Sequence, residues 1–164
     1  LGNIIRAFEV YPRLMYGIDP IPGWTRLLAI VPQEYRSLVE DTKIQVDFWV
    51  NIWLLSWLIL AEYIFLVVYI SKIQIVWFPI LAFILVFMAY DRAKVAAIEW
   101  GDSVKATFDV FLPELATKLG FAKRKTMKEE RQLWREFSQA VIYADPICMP
   151  NRDAKEESED DKKE

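Results

Sequence analysis

Among its 164 residues the chain has no histidine at all. That single absence removes Ser-His and Cys-His nucleophile activation, imidazole acid-base catalysis and most zinc or iron sites. The lone cysteine, Cys148, provides neither an intrachain disulfide nor a thiolate cluster. Five scattered glycines form no G-x-x-x-x-G-K-[ST] or G-x-G-x-x-G loop, so nothing cradles a phosphate in the usual way. Leu1 to Val10 lacks the basic region and apolar core of a signal peptide. Only carboxylate and hydroxyl chemistry remains, and the expectation is a non-enzymatic protein without metal or cofactor.

What the chain does have is an uneven distribution of charge. Phe48 to Tyr90 contains only two charged residues, Glu62 and Lys72, while 41 of the 43 charges fall elsewhere. Soluble domains interleave apolar and charged residues along each amphipathic element, so this split points to a membrane protein. A first apolar stretch, 48–70, is long enough to cross about 30 Å of hydrocarbon at about 1.5 Å per residue. A second, 73–90, just reaches, and only Ser71 and Lys72 separate the two. Pro79 lies inside the second stretch, where a kink is expected. The fold class expected is therefore an all-α integral membrane protein: a two-span helical hairpin with long helical stalks and a peripheral C-terminal amphipathic helix. Arg36 and Lys43 before the hairpin and Arg92, Lys94 and Lys105 after it place both ends on the cytoplasmic side of a cell (inner) membrane.

Four segments follow: an interfacial piece 1–31, the hairpin with its stalks 32–112, a helical region 113–150, and a disordered acidic tail 151–164. In the first, Asn3 caps a short helix expected to end before Pro12, and the turn formers from Tyr16 to Gly23 precede a helical turn from Trp24 to Ile30. From Gln33 no proline or glycine intervenes before Pro79, so one long helix is expected. Its apolar seam runs through Tyr35, Leu38, Val39, Thr42 and Val46 into Trp49, Trp53 and Trp57. The matching seam after the hairpin runs through Ala93, Ala97, Trp100, Val104, Phe108 and Phe111 until Pro113. Thr126-Met127-Lys128-Glu129 is a capping box opening the last helix, which Asp145-Pro146 should end.

Polar residues of the first span fall on one edge. At about 100° per residue from Asp47, Asn51 lies at about 40°, Leu58 at about 20° and Glu62 at about 60°, and Lys43, Glu40 and Arg36 extend the edge backwards. A carboxylate in hydrocarbon costs several kcal/mol unless neutralised, paired or wet. Asp47, Asn51 and Glu62 are thus the candidate site. They would meet the same edge in other copies, meet membrane helices that precede this chain, or carry a protonated Glu62 bonded locally. An ion path lined by the three is the competing reading. A basic cluster of Lys123, Arg124, Lys125, Lys128 and Arg131 is a candidate contact for anionic lipid headgroups. Partners expected are lipids and further copies of the chain or preceding helices; nucleic acid is not among them.

The succession Leu1-Gly2-Asn3, Tyr16-Gly17-Ile18-Asp19 and Trp24-Thr25-Arg26-Leu27 before a membrane hairpin resembles a group of uncharacterised prokaryotic multi-pass membrane proteins. Their C-terminal parts are similar to Phe108-Asp109 and Glu129 to Trp134. Thr25 departs from the proline usual at that position of the group. The resemblance implies that more membrane helices precede Leu1, and it brings no known activity with it.

Overall fold

A computed structural model describes residues 1–70, 77–121 and 126–144. The Ser71-Lys72 connection, residues 73–76 of the second apolar stretch, the basic run Lys123, Arg124 and Lys125, the Asp145-Pro146 stop, Cys148 and the acidic tail 151–164 lie outside them. Among the described residues the fold is all-α: five helices and no strand. These are α1 (Gly2–Met15), α2 (Pro20–Leu28), α3 (Gln33–Ile70), α4 (Trp77–Lys118) and α5 (Met127–Tyr143).

The chain forms two compact units. The first takes Leu1–Ile5 and Glu34–Ser103; the second takes Arg6–Gln33 and Val104–Glu164. The division falls inside α4.

In the first unit, α3 starts immediately after Pro32 and runs 38 residues without a helix breaker. It is long and apolar enough to cross a membrane over Gln33–Tyr69, and only 6% of its apolar window is buried within the chain. A core helix of a soluble protein would be mostly covered. The second apolar stretch enters α4 only as Trp77 to Tyr90, fourteen residues or about 21 Å of rise.

What α3 does bury is a narrow line facing α4. Val46 packs with Ala96 and Ala97, flanked by Trp49, Val50 and Trp100, and the rings of Trp53 and Tyr90 lie 5.9 Å apart. Seven residues forward on α3, from Val46 to Trp53, correspond to seven residues back on α4, from Ala97 to Tyr90, so the two helices pair antiparallel. The buried positions of α4, Ala82, Val86, Ala89, Ala93, Ala96 and Ala97, recur at three and four residues as a helix-helix seam requires. Their small side chains let the backbones approach, which suits association where lipid removes the hydrophobic drive between helices.

Two expected seam residues are displaced. Trp57 is 46% exposed and Leu38 50% exposed. After Trp53 the seam steps three residues to Ser56, not four to Trp57, and Ser56 is fully buried. Its hydroxyl donates to the Ile52 carbonyl at 2.7 Å, so a small polar group enters the contact already satisfied.

The second unit corrects three helix ends. First, α1 continues through Pro12 to Met15. A proline inside a helix forfeits one backbone bond, yet Pro12 is buried with Phe8, and Tyr16 N–H to the Pro12 carbonyl, 2.9 Å, resumes the pattern. Second, α4 passes Pro113 and ends at Lys118 because Leu112 and Leu115 are both buried there. Its true stop is Gly120 at φ +80, with Phe121 N–H reaching back to the Ala116 carbonyl at 2.9 Å, a Schellman closure. Third, α2 begins at Pro20, inside the stretch expected to be turns. Asp19 caps it by accepting from Ile21 N–H at 3.2 Å, and proline is favoured in the first helical turn. At α5 the N-cap half of the expected capping box is present, with Thr126 Oγ1 accepting from Glu129 N–H at 3.4 Å.

Candidate functional site

The candidate residues of α3 sit where helical geometry puts them. With Asp47 again as zero, Trp49, Trp53 and the buried Ser56 of the α4 seam fall between about 180° and 240°. Asp47, Asn51 and Glu62 fall between 0° and about 60°, and all three are exposed. The polar edge and the α4 seam thus occupy opposite sides of α3. Glu62 stands among the exposed side chains of Leu58, Ile59, Phe65 and Leu66. On α4, Phe78, Leu81, Phe83, Ile84, Leu85, Phe87 and Met88 are exposed as well.

Electrostatics at the base of the pair are local. Asp91 and Lys94 form an ion pair at 2.5 Å, and the Lys94 ammonium lies 5.1 Å from the centre of the Tyr90 ring. The hydrogen bond from Lys94 to Asp91 raises the lysine above its ordinary range, with partial desolvation opposing. Among the described residues no three His, Cys, Asp or Glu side chains converge to hold a metal ion.

The second unit contains an arrangement whose sequence reads as a string of turn formers and as one piece of the resemblance. Tyr16, Gly17, Ile18 and Asp19 each make a different connection. The Tyr16 hydroxyl donates to Asp109 at 2.6 Å, and Tyr11 donates to the same carboxylate at 2.9 and 3.2 Å. Gly17, at φ +81, presses its backbone against that of Arg131. Ile18 is wholly buried. Asp19 binds Arg13 at 2.6 Å while its N–H donates to Ser138 Oγ at 2.8 Å. Trp24 packs on Phe108, centroids 5.9 Å apart, and the Arg26 guanidinium lies 5.6 Å from the Phe137 ring centre. Apart from Leu1-Gly2-Asn3, which belongs to the first unit, the scattered pieces that carried the resemblance therefore meet in one place, tying α1, α2 and α5 to the second half of α4.

Of the basic cluster, Lys128 and Arg131 are exposed residues of α5. Arg131 is nevertheless committed: its guanidinium donates to the Met15 carbonyl at 2.8 Å and to the Leu14 carbonyl. It caps the C-terminus of α1, where orphan carbonyls and the negative end of the helix dipole attract a cation. Basic spacing alone gave no hint of that role.

Burial and the neighbouring Asp109 carboxylate raise the ionisation of both Tyr11 and Tyr16 above the ordinary tyrosine range. Both phenols are neutral donors in the folded chain, whereas an unfolded tyrosine ionises near pH 10. Stability from these bonds is therefore fully present below about pH 10 and is lost as pH rises towards the folded values. Tyr16→Phe is expected to cost about 1 kcal/mol at neutral pH and to flatten this alkaline loss. Urea unfolding followed at pH 8 and pH 11 checks both effects.

No family model matches this chain, and neither a curated protein nor a solved structure is significantly similar to it.

Proposed function

We propose that the chain is a non-enzymatic component of a membrane assembly: a two-span hairpin, both flanks cytoplasmic, that joins further copies of itself through the polar edge of α3. The observation that carries this reading is the direction of that edge. Asp47, Asn51 and Glu62 are exposed and turned away from α4, in a helix whose apolar window is almost uncovered by its own chain. Polar groups in lipid face protein or a wet cavity, not hydrocarbon, so the edge calls for a partner helix. A neighbouring copy supplies the same edge, with Arg36, Glu40, Lys43 and Asp47 alternating in sign along it.

Disulfide trapping in native membranes tests the contact. In a Cys148→Ser background, Asn51→Cys is expected to form covalent dimers on oxidation. Ile59→Cys, which lies about 80° further round the helix at 50% exposure, is expected to remain monomeric. Equal trapping at both positions, or at neither, sinks the reading.

The alternative is an oligomeric ion-conducting pore lined by the same Asp47, Asn51 and Glu62 face. Its support is that three hydrophilic side chains follow one another along one edge of a single span. Bilayer recordings distinguish the two: wild-type current abolished by Glu62→Gln favours the pore, and silence of the wild type removes it.

A further inference from the structure

The antiparallel register divides the polar edge into two levels. Val46 packs with Ala97, and Trp53 with Tyr90, so residues at one height on α3 and α4 have numbers that add to 143. Asn51 is then level with Arg92, and Asp47 with Ala96. Both stand at the height of the charged Asp91, Arg92 and Lys94, whose ion pair belongs at the water boundary.

Glu62 is level with Leu81. It lies ten residues from the height of Asp91, about 15 Å of rise and half of a hydrocarbon core about 30 Å thick. Exposed Tyr69 and Trp77 mark the opposite boundary, where amphipathic rings concentrate. The α4 residues nearest that height, Phe78, Leu81, Ala82 and Leu85, carry no charge. On α3 the adjacent polar group is the Tyr63 hydroxyl, and Lys72 is a further ten positions along the sequence.

We infer that Glu62 is a midplane proton-binding site: a carboxyl group that takes up a proton on entering the bilayer and is held there as the neutral acid. This rests on the membrane hairpin proposed above. It sharpens that proposal, because Asp47 and Asn51 become boundary residues and Glu62 alone occupies hydrocarbon. A neutral acid is also a hydrogen-bond donor, so across an interface between copies one Glu62 O–H donates to the carbonyl oxygen of the next. The chemical class that reports such a site is a hydrophobic carbodiimide. The acid proton passes to a carbodiimide nitrogen, the carboxylate oxygen adds to the central carbon, and an O-to-N acyl shift leaves a stable N-acylurea with no group expelled.

The full chain reconstituted in phosphatidylcholine vesicles is treated at neutral pH with dicyclohexylcarbodiimide, or separately with a water-soluble carbodiimide. Alkaline carbonate extraction and peptide mass mapping follow. The expected result is a chain that stays with the vesicles and carries an adduct on Glu62 from the membrane-soluble reagent only. Glu62→Gln is expected to lose that adduct and stay with the vesicles. Retention with Glu62 modified by the water-soluble reagent as readily as Asp47 places the group in water. That outcome overturns the proton site and leaves the hairpin standing. Retention with Glu62 inert to both reagents overturns the proton site equally. Release of the wild-type chain by carbonate overturns the hairpin and the proton site together.

Discussion

Gly17→Ala is expected to destabilise the second unit by on the order of 3 kcal/mol, combining a left-handed backbone penalty with a backbone collision. Gly17 sits at φ +81, and a Cβ built there would lie 2.5 Å from the Arg131 carbonyl oxygen. That oxygen belongs to helix backbone and cannot rotate away. Separation of Gly17 from α5 would also pull the Arg131 guanidinium off the Leu14 and Met15 carbonyls, so one methyl group disturbs three contacts. Gly23→Ala is the matched control. Its Cβ would come within 2.9 Å of the Ile18 side-chain tip, a mobile group, in an ordinary helical conformation, and its cost should be clearly smaller. Urea midpoints of the two variants in detergent, with protease sensitivity of the 16–19 turn, check the difference. Equal losses would mean that the turn geometry is not the constraint.

Trp134→Ala is expected to cost about 3 to 5 kcal/mol, the range for deleting a large buried aromatic. Trp134 is completely buried and meets Phe121 and Phe137 edge to face, with centroids 5.6 Å away in each case. Its indole N–H has no acceptor among the described residues. An unsatisfied buried donor already costs the folded state roughly 1 to 3 kcal/mol. Trp134→Phe removes that donor while keeping a ring in the aromatic cluster, so its loss should be well under half that of alanine. Chemical denaturation of both variants, monitored by the remaining tryptophans, supplies the comparison. If phenylalanine were as harmful as alanine, the indole itself, and not a buried ring with its donor removed, would be what the site requires.

Periodicity made the long elements legible. The start of α3 at Gln33 followed from proline and glycine punctuation, and the α4 seam through Ala93 and Ala97 followed from its spacing. Stops assigned at prolines failed at Pro12 and Pro113, because burial around each outweighs one missing backbone bond. No local rule reports how much a helix will bury further along. Four-residue spacing puts Trp57 in the seam, where the fold buries the small Ser56 and leaves Trp57 outside. The Asp109 carboxylate joining two tyrosines lies 98 and 93 residues from them in sequence. Pairings over such distances leave no mark in spacing. The residues around Tyr16 read as turn formers in the sequence, while their partners Asp109, Arg131 and Ser138 lie on distant helices.

The separation of the pieces that build the second unit also sets an order of events during synthesis. Asp19 waits for Ser138, 119 positions later, and the α1 carbonyls wait for Arg131, 116 and 117 positions later. At translation rates of about 5 to 20 residues per second, that interval is roughly 6 to 24 s. Every residue of α3 and α4 emerges within it. Asp19 and the end of α1 therefore spend the whole passage of the apolar helices without their α5 contacts, and α5 is the late-arriving latch that closes the unit.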